Sequence, residues 1–117
     1  MATPLPSYLR SFRKQCGFSQ PELAALLGFR THKSVARHER GAGVPSFEAV
    51  VVLEQLFQVR YCDLFPAATR DCEFQLLIRA EIMLARLDWT RPRHSAVKRR
   101  LLERVRRRLD YQHRHRS

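Results

Sequence analysis

The sequence lacks the features of membrane and secreted proteins. No apolar run approaches the roughly 20 residues that a membrane-spanning helix requires, which excludes a spanning protein. The opening Met-Ala-Thr-Pro-Leu-Pro has neither a basic start nor an apolar block, so we expect no secretory signal. Only three cysteines are present (Cys16, Cys62 and Cys72), and this odd, scattered set argues against a disulfide framework. We therefore expect a cytoplasmic protein.

Residue patterns typical of enzymes and metal proteins are also missing. The sequence contains no Gly-rich phosphate loop and no recognisable pair of nucleophile and base. The cysteines have no paired spacing suited to zinc, and no cysteine or carboxylate stands at ligand spacing beside His94, His113 or His115. We predict that the chain is not an enzyme and that it binds no metal and no cofactor.

Acidic residues are scarce relative to basic ones. Lysine and arginine together number 22 against 11 aspartates and glutamates, which gives a net charge of +11, and 19 of the 22 cations are arginine. The planar arginine fork matches phosphates and guanine edges in pairs. A charge excess of this size predicts attraction to a polyanion, although it does not distinguish DNA, RNA and anionic lipid.

The positive charge is concentrated towards the end of the chain. Residues 1–69 contain eight cations and five anions, residues 70–87 contain three of each, and residues 88–117 contain eleven cations and three anions. This asymmetry predicts a domain over 1–66 that carries specificity and a basic helical segment over 67–117 that carries affinity.

Helix signals run through the whole chain and predict an all-α fold. Ser7 is a candidate cap for a first helix, and Ser19 with Glu22 forms a capping box for a second helix that ends at Gly28. Thr31 is a candidate cap for a third helix over 32–40, and Ser46 for a fourth. Two short helices joined by a tight glycine turn form a helix-turn-helix arrangement, whose second helix fits the major groove of DNA.

The sequence resembles the Cro/lambda-repressor-like (XRE-type) helix-turn-helix family over roughly residues 7–66. The residues that carry the resemblance are Leu9-x-x-Phe12-Arg13, Gly17-Phe18-Ser19-Gln20-x-x-Leu23-Ala24, Leu27-Gly28-Phe29, Val35-x-Arg37-x-Glu39-Arg40-Gly41, Pro45-Ser46 and Asp63-Leu64-Phe65. It implies a five-helix domain that binds double-stranded DNA, usually as a homodimer.

The resemblance also implies roles for individual residues. Base edges would face His32, Lys33 and Arg37, and Ser34 would face bases or phosphate. Gln20 would contact the DNA backbone, Thr31 and Arg40 would complete the DNA-binding set, and Arg13 with Glu39 would form a structural salt bridge between helices one and three. His38 stands where an apolar residue is usual, and the loop 41–44 lacks a basic side chain, so we expect it to contact phosphate through backbone N–H groups.

Two further helices are predicted in the basic segment, forming a helical hairpin. The first, over roughly 70–87, has too many apolar residues for a free surface helix, so we expect it to pack on the first domain, on the second helix or on a second subunit. It is the favoured dimer surface, and the first domain is the alternative. The second, over roughly 94–112, has Val97, Leu101, Val105 and Leu109 at i, i+4 spacing on a basic helix. This pattern favours helix packing with a phosphate-facing outside, to which Lys98, Arg99 and Arg104 would contribute. A helix lying on an anionic membrane is the competing interpretation, which the absence of aromatic anchors disfavours.

The sequence therefore predicts a sequence-specific DNA-binding transcriptional regulator, a repressor that occupies a promoter and is nucleoid-associated in the cytoplasm. Two alternatives stay open. An antitoxin-type autoregulator would bind a protein partner through its C-terminal segment, and a nonspecific nucleic-acid-binding protein would not use the third helix for reading.

Overall fold

The computed structural model describes residues 7–87 and 92–115. These residues form seven α-helices and no strand, which confirms the all-α prediction. The helices are α1 (Leu9–Gln15), α2 (Gln20–Leu27), α3 (Lys33–Glu39), α4 (Phe47–Phe57), α5 (Tyr61–Leu64), α6 (Pro66–Ala85) and α7 (Pro92–His115). The chain divides into two compact units, residues 1–69 and 70–117, and α6 runs across their boundary.

The ends of α2 are fixed by the residues that the sequence singled out. The Ser19 hydroxyl accepts from the Glu22 backbone N–H at 3.1 Å, and the Glu22 carboxylate accepts from the Ser19 N–H at 2.9 Å, so the capping box is confirmed. Hydrogen bonding of the Glu22 carboxylate, first by the Ser19 backbone N–H and then by the Ser19 side chain, lowers the pKa of Glu22. At the other end, Gly28 has φ +74°, the left-handed conformation that ends a helix without a Cβ clash.

Two predicted caps are wrong. The first helix begins at Leu9, and the Ser7 hydroxyl instead donates to the backbone carbonyl of His38 at 3.0 Å. The third helix begins at Lys33 after His32, whose backbone is already helical (φ −70°, ψ −11°), so Thr31 caps nothing and is exposed. The Ser46 cap is confirmed, since its hydroxyl accepts from the Ala49 N–H.

The core of the first unit takes one fully buried side chain from each of its five helices. These are Leu9, Leu23, Val35, Leu53 and Leu64. Burying an aliphatic side chain of this size contributes about 1.5–3 kcal/mol. At seven residues, α3 is too short to be stable as an isolated helix, so its structure depends on this packing.

The second unit contains the residues of α6 from 70 onwards together with α7. Residues 77–81 face 106–110 and residues 79–87 face Lys98, so the two helices run antiparallel as a hairpin. The start of α6 lies at Pro66, earlier than the expected residue 70. Proline is tolerated in the first turn of a helix, so α6 can begin at Pro66. Ala67 and Ala68, which follow it, have high helix propensity and extend the helix to residue 70.

The apolar stripe of α7 is covered over only part of its length. Leu109 is 4% exposed and Val105 is half-buried, whereas Leu101 is 56% and Val97 is 64% exposed. Only the half of the stripe towards the end of α7 is therefore packed within the described chain.

Candidate nucleic-acid interface

The outward face of α3 presents polar side chains from the beginning of the helix. Lys33 and Arg37 lie four residues apart, so they share one face of the helix, and both are exposed. Val35 and Glu39 share the inward face, where Val35 is fully buried. The short helix thus separates hydrogen-bonding groups on the outside from anchoring groups on the inside.

The other residues predicted to contact DNA from the first unit surround this face. Thr31 and His32 are exposed just before α3, Ser34 is half-buried in its first turn, and Arg40 is exposed immediately after its last residue. Threonine, histidine, serine and arginine can each donate a hydrogen bond, and the arginine adds positive charge. Apart from Gln20 on α2, the residues of the first unit that are predicted to contact DNA therefore lie on one short segment, 31–40.

A buried ion pair fixes α3 against α1. The Arg13 Nε donates to Glu39 Oε2 at 2.5 Å and its Nη2 donates to Oε1 at 3.2 Å, while the two side chains are only 9% and 5% exposed. The remaining arginine nitrogen, Nη1, donates to the Phe18 carbonyl at 2.9 Å. Because each nitrogen of the guanidinium donates one hydrogen bond, the buried charge of Arg13 is well compensated.

Gln20 takes part in the same cluster. Its Nε2 donates to Glu39 Oε1 at 3.1 Å, and the side chain is half-buried at the start of α2. Sequence reasoning assigned this residue only to the DNA backbone, and that assignment stays a prediction. The contact with Glu39 was missed because the two residues lie 19 positions apart and no local pattern connects them.

The structure also explains the histidine found where an apolar residue is usual. The His38 ring packs against Phe29, with ring centroids 5.9 Å apart, and its Nδ1 lies 3.1 Å from the Gly43 carbonyl oxygen. The imidazole ring therefore packs against Phe29 as an apolar side chain would, and its Nδ1 contacts the loop that follows α3.

Two of the loop N–H groups expected to contact phosphate are used inside the protein. The Gly41 N–H donates to the His38 carbonyl at 3.2 Å, and the Ala42 N–H donates to the Arg37 carbonyl at 2.9 Å. These bonds continue the helical turn beyond α3, as in many helix C-termini. The expectation is therefore wrong for these two groups.

The predicted phosphate-contacting residues of the second unit lie on α7. Lys98, Arg99 and Arg104 are all exposed. Arg99 Nε donates to the Glu103 carboxylate at 2.9 Å, and this contact lowers the pKa of Glu103. Part of the Arg99 charge is thus already balanced on the helix, and the predicted phosphate contacts of these three residues stay a prediction.

Residues 5–63, half of the chain, match the family profile described as a helix-turn-helix domain. The chain belongs to the helix-turn-helix domain family. The match confirms the resemblance to XRE-type helix-turn-helix proteins, whose DNA-binding domains are generally not enzymes.

A similar protein of Pyrococcus furiosus is named as a proposed HTH-type transcriptional regulatory protein. It is 40% identical over 62 residues, a stretch that covers 50% of this chain and 19% of the relative. The chain thus spans about a fifth of that protein. No solved structure matches this helix-turn-helix chain. None of the helices in residues 7–87 and 92–115 is long and apolar enough to cross a membrane.

Proposed function

We propose that this helix-turn-helix protein is a sequence-specific DNA-binding transcriptional regulator that inserts α3 into the major groove. The observation that carries the proposal is the division of α3 into an exposed polar face and an inward face held by Val35 and Glu39. A helix that recognises bases in the major groove needs this combination. Hydrogen bonds to base edges distinguish one base pair from another only when the helix holds its side chains at fixed positions.

In this proposal the two units have different tasks. His32, Lys33 and Arg37 read base edges, while Thr31, Ser34 and Arg40 contact bases or phosphates at either end of the helix. The domain over 1–66 gives specificity, and the segment 67–117 adds affinity through Lys98 and Arg104, with Arg99 contributing less because of its bond to Glu103.

The regulator acts in this proposal as a homodimer that represses transcription by occupying a promoter. Exposed apolar side chains on α6, namely Ile78, Ile82 and Met83, are 39–53% exposed, and a second copy of the chain would cover them. The name of the Pyrococcus furiosus relative supports the regulatory role.

The test is selection of bound duplexes from a random DNA library by the full chain and by Arg37→Ala. The wild type should enrich two inverted half-sites about one helical turn apart. Arg37→Ala should lose the preference at one base pair of each half-site, where a bidentate contact contributes about 1–3 kcal/mol. Its binding to unrelated duplexes should change little. Arg60→Ala, which removes an exposed arginine at the start of α5, serves as the matched control.

Other outcomes would contradict particular parts of the proposal. Enrichment of no sequence would favour a nonspecific nucleic-acid-binding protein. A single half-site without its inverted copy would refute the homodimer and favour a protein partner on α6, as in the antitoxin-type alternative. If Arg37→Ala loses the same affinity on all duplexes, Arg37 contacts phosphate and does not recognise a base.

A further inference from the structure

The guanidinium of Arg37 lies beside Gly43 in the loop that follows α3. A Cβ atom placed on Gly43 would lie 2.9 Å from Nη2, 3.7 Å from Cζ and 3.9 Å from Nε of Arg37. The first distance is shorter than real Cβ contacts allow. Only glycine therefore leaves room for the arginine head in its present position.

The backbone does not explain this glycine. The chain has four glycines, and Gly17, Gly28 and Gly41 have φ between +71° and +78°, where a Cβ is unfavourable. Gly43 is outside that left-handed region. An alanine at position 43 would therefore cause no backbone strain. Its Cβ would clash with the far end of the flexible Arg37 side chain.

The loop that carries Gly43 is itself fixed to α3. The Ala42 N–H donates to the carbonyl of Arg37, and His38 Nδ1 contacts the Gly43 carbonyl oxygen at 3.1 Å. Within residues 7–87 and 92–115, no carboxylate forms an ion pair with Arg37. The lack of a side chain at Gly43 therefore gives the guanidinium the space that it occupies, and no carboxylate of the described residues takes up its donors.

We propose that Gly43 is a specificity-determining positioning residue: because it lacks a side chain, the guanidinium of Arg37 can occupy the position from which it meets a guanine edge. The inference rests on the proposed function, since it requires Arg37 to read a base. A side chain at position 43 would displace the guanidinium, and moving it back would reduce the free energy gained when both arginine hydrogen bonds form. The effect is expected at the base pair that Arg37 reads, because the three atoms nearest to a Cβ on Gly43 all belong to Arg37.

The experiment compares four full-length proteins: wild type, Gly43→Ala, Arg37→Ala and the double variant. Binding is measured on the selected duplex and on duplexes changed at each base pair in turn. Arg37→Ala should lose discrimination on the order of tenfold at one base pair. Gly43→Ala should lose part of that discrimination at the same base pair, and the double variant should match Arg37→Ala alone.

Two controls keep structural effects apart from positioning. Thermal melting should be nearly the same for Gly43→Ala and wild type, since only the arginine head must move. Ala42→Ser, an exposed change in the same loop, should keep full discrimination at every base pair. If Gly43→Ala unfolds, the double variant with Arg37→Ala decides: it should fold, because the atoms that the new Cβ meets belong to Arg37. A double variant that also unfolds would show that the loop itself needs the glycine, and it would overturn the inference.

Several results would overturn the inference. Full discrimination in a folded Gly43→Ala protein, together with its loss in Arg37→Ala, would leave the proposed function intact and remove Gly43 from it. Additive losses in the double variant, or a uniform affinity loss on every duplex, would show that Gly43 acts on the loop rather than on Arg37. Unchanged discrimination in Arg37→Ala would refute the base-reading role and the inference with it.

Discussion

Replacing Glu39 by glutamine tests whether the buried ion pair holds α3 in its reading position. Glu39 accepts hydrogen bonds from Arg13 and from Gln20, and its side chain is 5% exposed. The glutamine keeps the shape and one carbonyl acceptor. It removes the negative charge, however, and places an N–H₂ group among side-chain donors.

The expected effect is large because the charge of Arg13 stays buried without its counter-charge. Removing one partner of a buried ion pair costs about 3–5 kcal/mol, and the retained carbonyl places Glu39→Gln near the lower value. For a domain of this size, about 3 kcal/mol corresponds to a melting temperature lowered by roughly 12 °C or more. DNA binding should fall only where the protein begins to unfold.

The change in stability is measured by following the thermal or chemical unfolding of the full-length protein with circular dichroism. The control is Glu103→Gln, which breaks an exposed pair with Arg99 on α7 and should leave the midpoint almost unchanged. Replacing both partners, Arg13→Met with Glu39→Leu, removes both buried charges and should be more stable than Glu39→Gln. A melting temperature equal to that of wild type would refute the stabilising role, and loss of DNA binding without a stability change would assign the pair to recognition.

Three further changes test other parts of the structure. Gly28→Ala should destabilise the protein by about 1 kcal/mol in chemical denaturation, because its φ is +74° while a Cβ would meet no atom within 4 Å; no effect would contradict the left-handed helix end. Replacing both Lys98 and Arg104 by glutamine should reduce the steepness of log affinity against log salt by about 2 units if both residues contact phosphate, with the preferred sequence unchanged. An unchanged slope would show that these two residues do not contact the DNA backbone. The pKa of Glu22 is lowered by its capping hydrogen bonds, so the stability from its charge is present at neutral pH and is lost as the pH falls below about 4.5 towards the folded-state pKa. Glu22→Gln keeps the cap and should lose less stability than wild type across that acid range, measured by melting at several pH values.

The sequence predicts features whose partners lie within a few residues. The capping box of α2, the Ser46 cap and the left-handed Gly28 are each defined by a segment of four or five residues, so local hydrogen-bond chemistry suffices. The ion pair of Arg13 and Glu39, 26 residues apart, came instead from the family resemblance.

Other features that depend on distant partners were not predicted. Ser7 bonds to a carbonyl 31 residues away, and this tertiary contact replaces the local cap that its position suggests. The contact of Gly43 with Arg37 depends on how a side chain folds back, which backbone preferences do not reveal. In α7, the i, i+4 spacing identified the apolar face, but spacing alone does not determine which part another helix covers.

The links that converge on α3 also determine the thermodynamics of its encounter with DNA. The helix is joined to α1 through Arg13, to α2 through Gln20, and to the segment before α1 through Ser7. The amides that bond within the helix, such as those of Ala36 and Arg40, should therefore be protected from exchange with solvent, because opening α3 also breaks its links to α1 and α2. In the proposed complex, α3 is ordered before DNA arrives, so association needs no folding step that would slow it or consume binding entropy.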